Sequence, residues 1–220
     1  MRHFHEELEQ LRQKVVQMGF VVESSVEKAL EGLFSKKRQL LQEVLESEQH
    51  INQIEIEVDK MGHELLALDQ PVAVDLRLVT AVLKMNTDLE RIGDHAVNIA
   101  ERALALLEEP THAVLITDLE TMAQKTMKML STALDAFRNR NPYSARDVFL
   151  QDDMVDSAKK SIFLQTERAI TKTPTYARGG IQLLMICCNL ERISDLACNI
   201  AEDVIYMKQG KEVRHRVGLA

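Results

Sequence analysis

The chain spells one segment twice. Residues 83–102 read LKMNTDLERIGDHAVNIAER and residues 184–203 read LMICCNLERISDLACNIAED; eleven of the twenty positions are identical at an offset of 101. The shared string LERI-x-D-x-A-x-NIAE contains polar identities that packing alone does not require. Weaker matches continue upstream at an offset of 104, where Ala29-Leu30 pairs with Ala133-Leu134 and Glu48-x-x-Ile51-Asn52 pairs with Asp152-x-x-Val155-Asp156. Pro71 has its counterpart in Pro174. A chain that carries one unit twice in order is expected to fold as two copies of one architecture.

That architecture is helical. Leu78, Val82, Met85, Leu89, Ile92, Ala96, Ile99 and Ala103 recur at steps of three and four, which places them on one face of a helix. Ile51, Ile54, Val58, Met61 and Leu65 form an equivalent stripe, and neither segment is apolar all round, so both read as surface helices of a bundle. No segment alternates at period two, so no strands are expected. The prolines fall between the periodic stretches. Asn141-Pro142 and Thr173-Pro174 each read as an N-cap followed by Pro at the first helical position. Thr117 to Glu120 matches a capping box, and Gly32 and Ser35 mark a turn without proline.

Six helices follow, over 4–31, 36–68, 75–108, 114–139, 143–171 and 175–208. Short loops between long helices imply antiparallel neighbours. The expected fold is all-α: two pseudo-repeated antiparallel three-helix bundles, with residues 1–109 as one unit and 110–220 as the other. Aromatics are only 4% and Trp is absent, so the core must come from aliphatic residues, Met and Ala, which suits helix-on-helix packing.

Charge excludes some functions. A net charge of −7 argues against nucleic-acid binding, which needs a basic face. The clusters Lys36-Lys37-Arg38 and Lys211 to Arg216 are too short to reverse this. The cysteines Cys187, Cys188 and Cys198 form no CxxC, and no disulfide scaffold is expected. The N-terminus has no apolar signal region, and no apolar run approaches the ~18–20 residues that span a bilayer. The reading is a cytoplasmic protein whose membrane role, if any, is peripheral. With no Walker loop, Gly-x-Ser-x-Gly or HExxH, it is also read as non-catalytic.

Candidate chemistry lies beside the core face. With Glu90 at zero, Asp94 falls at about 40°, Asn98 at about 80° and Glu101 at about 20° around the third helix. The sixth helix repeats this edge with Glu191, Asp195, Asn199 and Glu202. Glu48, Asn52, Glu55 and Asp59 share one face of the second helix, as Asp152 and Asp156 do on the fifth. Antiparallel pairing brings these acidic edges together. Like charges at i and i+4 cost ~0.2–0.5 kcal/mol per pair, so a cation is expected to offset them. Carboxylates and amides suit hard cations such as magnesium, manganese, calcium or iron. His63, four residues after Asp59, could join such a site; Cys187 and Cys198 flank the sixth-helix edge and read as buried free thiols.

These same residues carry a family resemblance. Asp69-Gln70-Pro71-Val72-Ala73-Val74-Asp75-Leu76-Arg77, continuing through Leu83-Lys84 to Asp88-Leu89-Glu90-Arg91-Ile92-Gly93-Asp94-His95-Ala96 and Asn98-Ile99-Ala100, resembles the PhoU signature. Leu190 to Asp195, with Asn199-Ile200-Ala201-Glu202, resembles the family's second copy. The resemblance covers nearly the whole chain. It implies two pseudo-symmetric three-helix bundles. It implies a negative regulator of phosphate uptake and phosphate-starvation signalling, linking the phosphate ABC transporter ATPase subunit to a sensor histidine kinase. It allows a homodimer. It also implies metal ions (iron, or magnesium, manganese, calcium or zinc) at Glu90 with Asp94, Glu191 with Asp195, and Asp152 with Asp156. Glu48 with Asn52 departs from the strict acidic motif, which makes the first-half site less charged.

Overall fold

The computed structural model of the chain describes residues 2–69, 71, 73–110, 113–211 and 213. Six long helices follow one another: α1 (Arg2–Phe34), α2 (Arg38–Asp69), α3 (Ala73–Leu106), α4 (Ala113–Arg138), α5 (Pro142–Lys172) and α6 (Ala177–Gln209). A short 3-10 turn, Pro174–Tyr176, precedes α6. Among the described residues there is no strand. Of the second basic cluster, only Lys211 and Val213 are described.

The repeat is visible in the backbone as well as in the sequence. At the end of α1, Ser35 N–H donates to Glu31 O at 2.9 Å, Lys36 N–H to Leu33 O at 3.4 Å and Lys37 N–H to Gly32 O at 2.9 Å. At the end of α4, Asn139 donates to Asp135 O, Arg140 to Phe137 O and Asn141 to Ala136 O, at 2.9, 3.1 and 2.8 Å. Every donor and acceptor is displaced by 104 residues. Lys36 and Arg140, the residues at φ 54° and 52°, are the same turn position. Both ends satisfy terminal carbonyls with a left-handed residue.

Asn141 caps α5, accepting from Tyr143 N at 3.0 Å and Ser144 N at 3.4 Å, with Pro142 at the first helical position. The other expected cap is absent. Thr173 makes no side-chain cap bond, and Pro174 opens the 3-10 turn, so α6 begins at Ala177. The capping box from Thr117 lies inside α4, which starts one turn earlier. Gly32 is not a turn residue either. It is buried in α1, where a Cβ would come within 2.7 Å of Leu41 Cδ2. Its role is to let the start of α2 fold tightly back.

Within each half, the three helices pack on one another. Lys14–Glu57 and Lys28–Glu43 ion pairs align α1 and α2 antiparallel. Asn86 Nδ2 donating to Glu55 O at 3.0 Å and Ile51 lying over Gly93 do the same for α2 and α3. The expected stripe on α3 is buried from Val82 to Ala103, and Leu78 is half-buried.

α3 and α6 are not surface helices. They pack against each other antiparallel and join the two halves. Val79, Ala81, Asp88 and Ala100 are buried beyond the expected stripe. α1 and α4 also meet, through the Arg140–Glu9 pair at 2.7 Å and Arg138 stacked 4.1 Å from the Phe20 ring centroid. α2 and α5 are left on the outside, each packed mainly within its own half.

Candidate functional site: two acidic helix edges

The first edge lies between α2 and α3. Glu48, Asn52, Glu55, Glu90 and Asp94 are all half-buried there. Burial, with the nearby carboxylates of Asp94, Glu55 and Glu48, holds the Glu90 carboxyl above its usual range against the opposing charge of Arg91. Asn52 Oδ1 is buried and has no hydrogen-bond partner. Among the described residues, no ion pair reaches Glu48, Glu55, Glu90 or Asp94. The edge thus gathers negative charge and an unsatisfied carbonyl oxygen, a costly combination unless a cation is supplied.

The second edge lies between α5 and α6 and carries cations of its own, although Glu191 Oε2 is buried without a hydrogen-bond partner. Lys159 Nζ sits 3.1 Å from Glu191 Oε1, and Arg192 Nη1 is 3.8 Å from Asp195 Oδ2. Burial, then Glu191, Asp152 and Asp156, push the Asp195 carboxyl up to about 6, with Arg192 opposing. Asp152 also engages the Cys198 thiol, which burial and the adjoining carboxylates hold strongly protonated. The Cys187 thiol, pushed up to about 12 by burial, donates toward Met122 Sδ at 3.5 Å. Burial holds both thiols in the protonated form.

The outer members of each stripe go elsewhere. Asn98 Nδ2 donates to Asp94 O of its own helix at 2.9 Å, and Glu101 is exposed. Glu101 stands eleven residues from Glu90, about 16 Å along the axis, too far to share one ion with it. Asn199 turns to the seam between the halves, where it donates to Asp88; burial pushes that carboxyl up to about 6. Glu202 lines a cleft of about 420 Å³ with Asp152, Asp195, Cys198 and His95. His63 is exposed, its Nδ1 2.8 Å from Asp59 O.

Spacing arguments pass over three residues that take part. Asp88 and His95 belong to the seam, the latter with Nδ1 2.8 Å from Asn189 Oδ1. Neither could be placed without knowing that α3 meets α6. Lys159 is different, because the 104-residue offset aligns it with Glu55. The sequence therefore contains the swap of a carboxylate for an ammonium at one repeat position.

Metal-binding chemistry fits the first edge better than the second. Its donors are all oxygen and Asn52 Oδ1 is orphaned, as Glu191 Oε2 is on the second edge, but among the described residues no ion pair reaches its carboxylates. Among the described residues, no three His, Cys, Asp or Glu side chains are gathered closely enough to hold an ion by themselves. A cation that keeps most of its waters and takes one or two carboxylates suits such an arrangement.

A sequence model of the PhoU domain matches the chain twice, over residues 15–103 and 119–204. The chain belongs to the PhoU family. Curated PhoU relatives cover it almost end to end. The phosphate-specific transport system accessory protein PhoU homolog of Pseudomonas aeruginosa is 36% identical over 218 residues, 99% of this chain and 90% of that protein. The homolog of Clostridium acetobutylicum is 33% identical over 211 residues, 96% of each chain. Among solved structures, PhoU from Pseudomonas aeruginosa superposes with a TM-score of 0.91 at 35% identity, over 94% of this chain and 100% of that one. The phosphate transport system regulatory protein PhoU from Streptococcus pneumoniae gives 0.86 at 29% identity, over 96% and 99%. The two PhoU-domain matches contain both acidic edges. No described helix is long and apolar enough to cross a membrane.

Proposed function

We propose that this PhoU-family chain is a non-catalytic, cytoplasmic negative regulator of phosphate uptake and phosphate-starvation signalling. It would link the ATPase subunit of a phosphate ABC transporter to a sensor histidine kinase, reaching the membrane only through them. The observation that carries the reading is a relative named as a transport accessory protein whose match extends over 99% of this chain. Residues 1–109 and 110–220 act as the two repeat units of one helical scaffold, held by the α3–α6 seam.

In this reading a hard divalent cation sits on the first acidic edge, held by Glu90 or Asp94 with Glu48 and the Asn52 amide oxygen. It would supply charge neutralisation between α2 and α3. Lys159 takes that part on the second edge.

Pull-down from cells grown in high and in low phosphate tests the regulatory reading. Retention of the transporter ATPase and the kinase on the tagged chain is expected. Failure to retain either at any phosphate level would overturn it.

A further inference from the structure

α1 and α4, the first helix of each repeat, run antiparallel where Glu9 meets Arg140 and Gly19 meets Leu134. Between them lies an open groove of about 520 Å³. The residues lining it are four repeat pairs at the offset of 104: Phe20 with Gln124, Glu23 with Met127, Ser24 with Lys128 and Glu27 with Ser131. Identical repeats would give it two identical walls. Instead every pair differs, while the buried Ala29-Leu30 and Ala133-Leu134 are unchanged between the repeats. The α1 wall carries an aromatic ring and two carboxylates. The α4 wall carries a thioether and an ammonium.

Phe20 is 50% exposed and, among the described residues, is the only large apolar side chain so exposed on α1 or α4. Arg138 stacks on its ring, 4.1 Å from the centroid. Met127 is half-buried and packs on the core. Among the described residues no ion pair reaches Glu23, Glu27 or Lys128, whereas Lys37 matches Glu31, Arg138 matches Asp135 and Lys28 matches Glu43. Glu120 and Lys125 stand about one turn or less from Gln124 and offset each other, so the α1 wall keeps its acidic excess. We infer that this groove receives about two turns of a basic amphipathic helix from another protein. Phe20 to Glu27 spans ~10 Å, which matches two turns. Glu23 and Glu27 are one turn apart, the spacing at which a helix presents two basic side chains at i and i+4. An apolar side chain beside that pair fills the space between Phe20 and Met127, the helix-in-groove mode of recognition. Lys128 on the facing wall repels a helix that is basic all round. An anionic lipid surface is repelled by the two carboxylates.

Fluorescence polarisation with the full chain tests this. The probe is a labelled, alanine-based helical peptide of about 15 residues, with arginine at i and i+4 and leucine at i+3 and i+7. Binding with a Kd of roughly 10–100 µM is expected. Glu23→Lys with Glu27→Lys should weaken it more than about tenfold at unchanged helical content. A second probe with glutamate in place of both arginines should bind that variant and not the parent chain. Phe20→Ala should weaken the first probe by roughly tenfold. Glu46→Lys with Glu64→Lys, which changes net charge equally on α2, should leave binding intact. No binding by the parent up to about 1 mM overturns the inference. So does equal binding of the two probes, or equal loss in the α2 variant. Self-association of the parent that Glu23→Lys with Glu27→Lys abolishes would also overturn it, by giving the groove to a second copy.

Discussion

The two acidic edges descend from one repeat and solve the same electrostatic problem differently. On the second, Lys159 reaches across from α5 and neutralises Glu191 at 3.1 Å. On the first, the same position is Glu55, which adds to the repulsion on Glu90. The motif that looks diluted by sequence, Glu48 with Asn52, therefore lies on the edge whose carboxylates no ion pair reaches among the described residues. The intact-looking pair, Asp152 with Asp156, lies on the edge that already has one. Counting carboxylates misranks the edges because the deciding charge is three residues beyond the motif, one helical turn away on the same face.

This contrast can be broken most severely at its pivot. Lys159→Glu gives the second edge the first edge's residue and leaves Glu191 half-buried with only Arg192 Nε, 3.9 Å away, as a cationic partner. In chelator it should cost about 2–3 kcal/mol, read from the urea midpoint. Millimolar magnesium should recover part of that loss in the variant while leaving the parent's second edge unaffected. Restoring the strict motif with Asn52→Asp crowds a further charge among Glu48, Glu55, Glu90 and Asp94. It should destabilise the metal-free chain by about 1–2 kcal/mol and tighten cation binding. The converse swap, Glu55→Lys, supplies an internal ammonium to the first edge. It should raise the metal-free stability by about 1 kcal/mol and abolish stabilisation by added cation.

The smallest effect concerns pH. The Asp195 carboxyl rises from 3.8 to about 6 on folding, so its neutral form is the favoured one. Its contribution to stability is complete below pH 3.8 and is lost as pH rises through 6. Asp195→Asn should match the parent at pH 3.8 and exceed it at pH 7. Because 47% of the side chain is exposed, the gain should be only about 0.5 kcal/mol. Thermal melts in chelator at the two pH values would show it.

Much of the fold was readable because helical period and duplication reinforce each other. The core stripe of α3, the Asn141 cap and the order of six helices all follow from local pattern. What local pattern could not supply was the partner of each outer face. Asp88 and His95 look like surface residues of an isolated three-helix unit, and only the α3–α6 seam buries or pairs them. The start of α6 was misplaced because Pro174 fits a 3-10 turn as well as a first helical position. For the acidic edges, spacing set the inner residues along facing helix edges but could not show that Asn98 bonds its own backbone or that Asn199 serves the seam.

The proposed external cation belongs to the first acidic edge and not to the second. Calorimetric titration of the chelator-treated chain with magnesium or manganese tests it most directly, comparing Glu90→Gln/Asp94→Asn with Glu191→Gln/Asp195→Asn. Binding that the first pair abolishes and the second leaves intact is expected. Binding lost only with the second pair, or no binding to the parent chain, would contradict it.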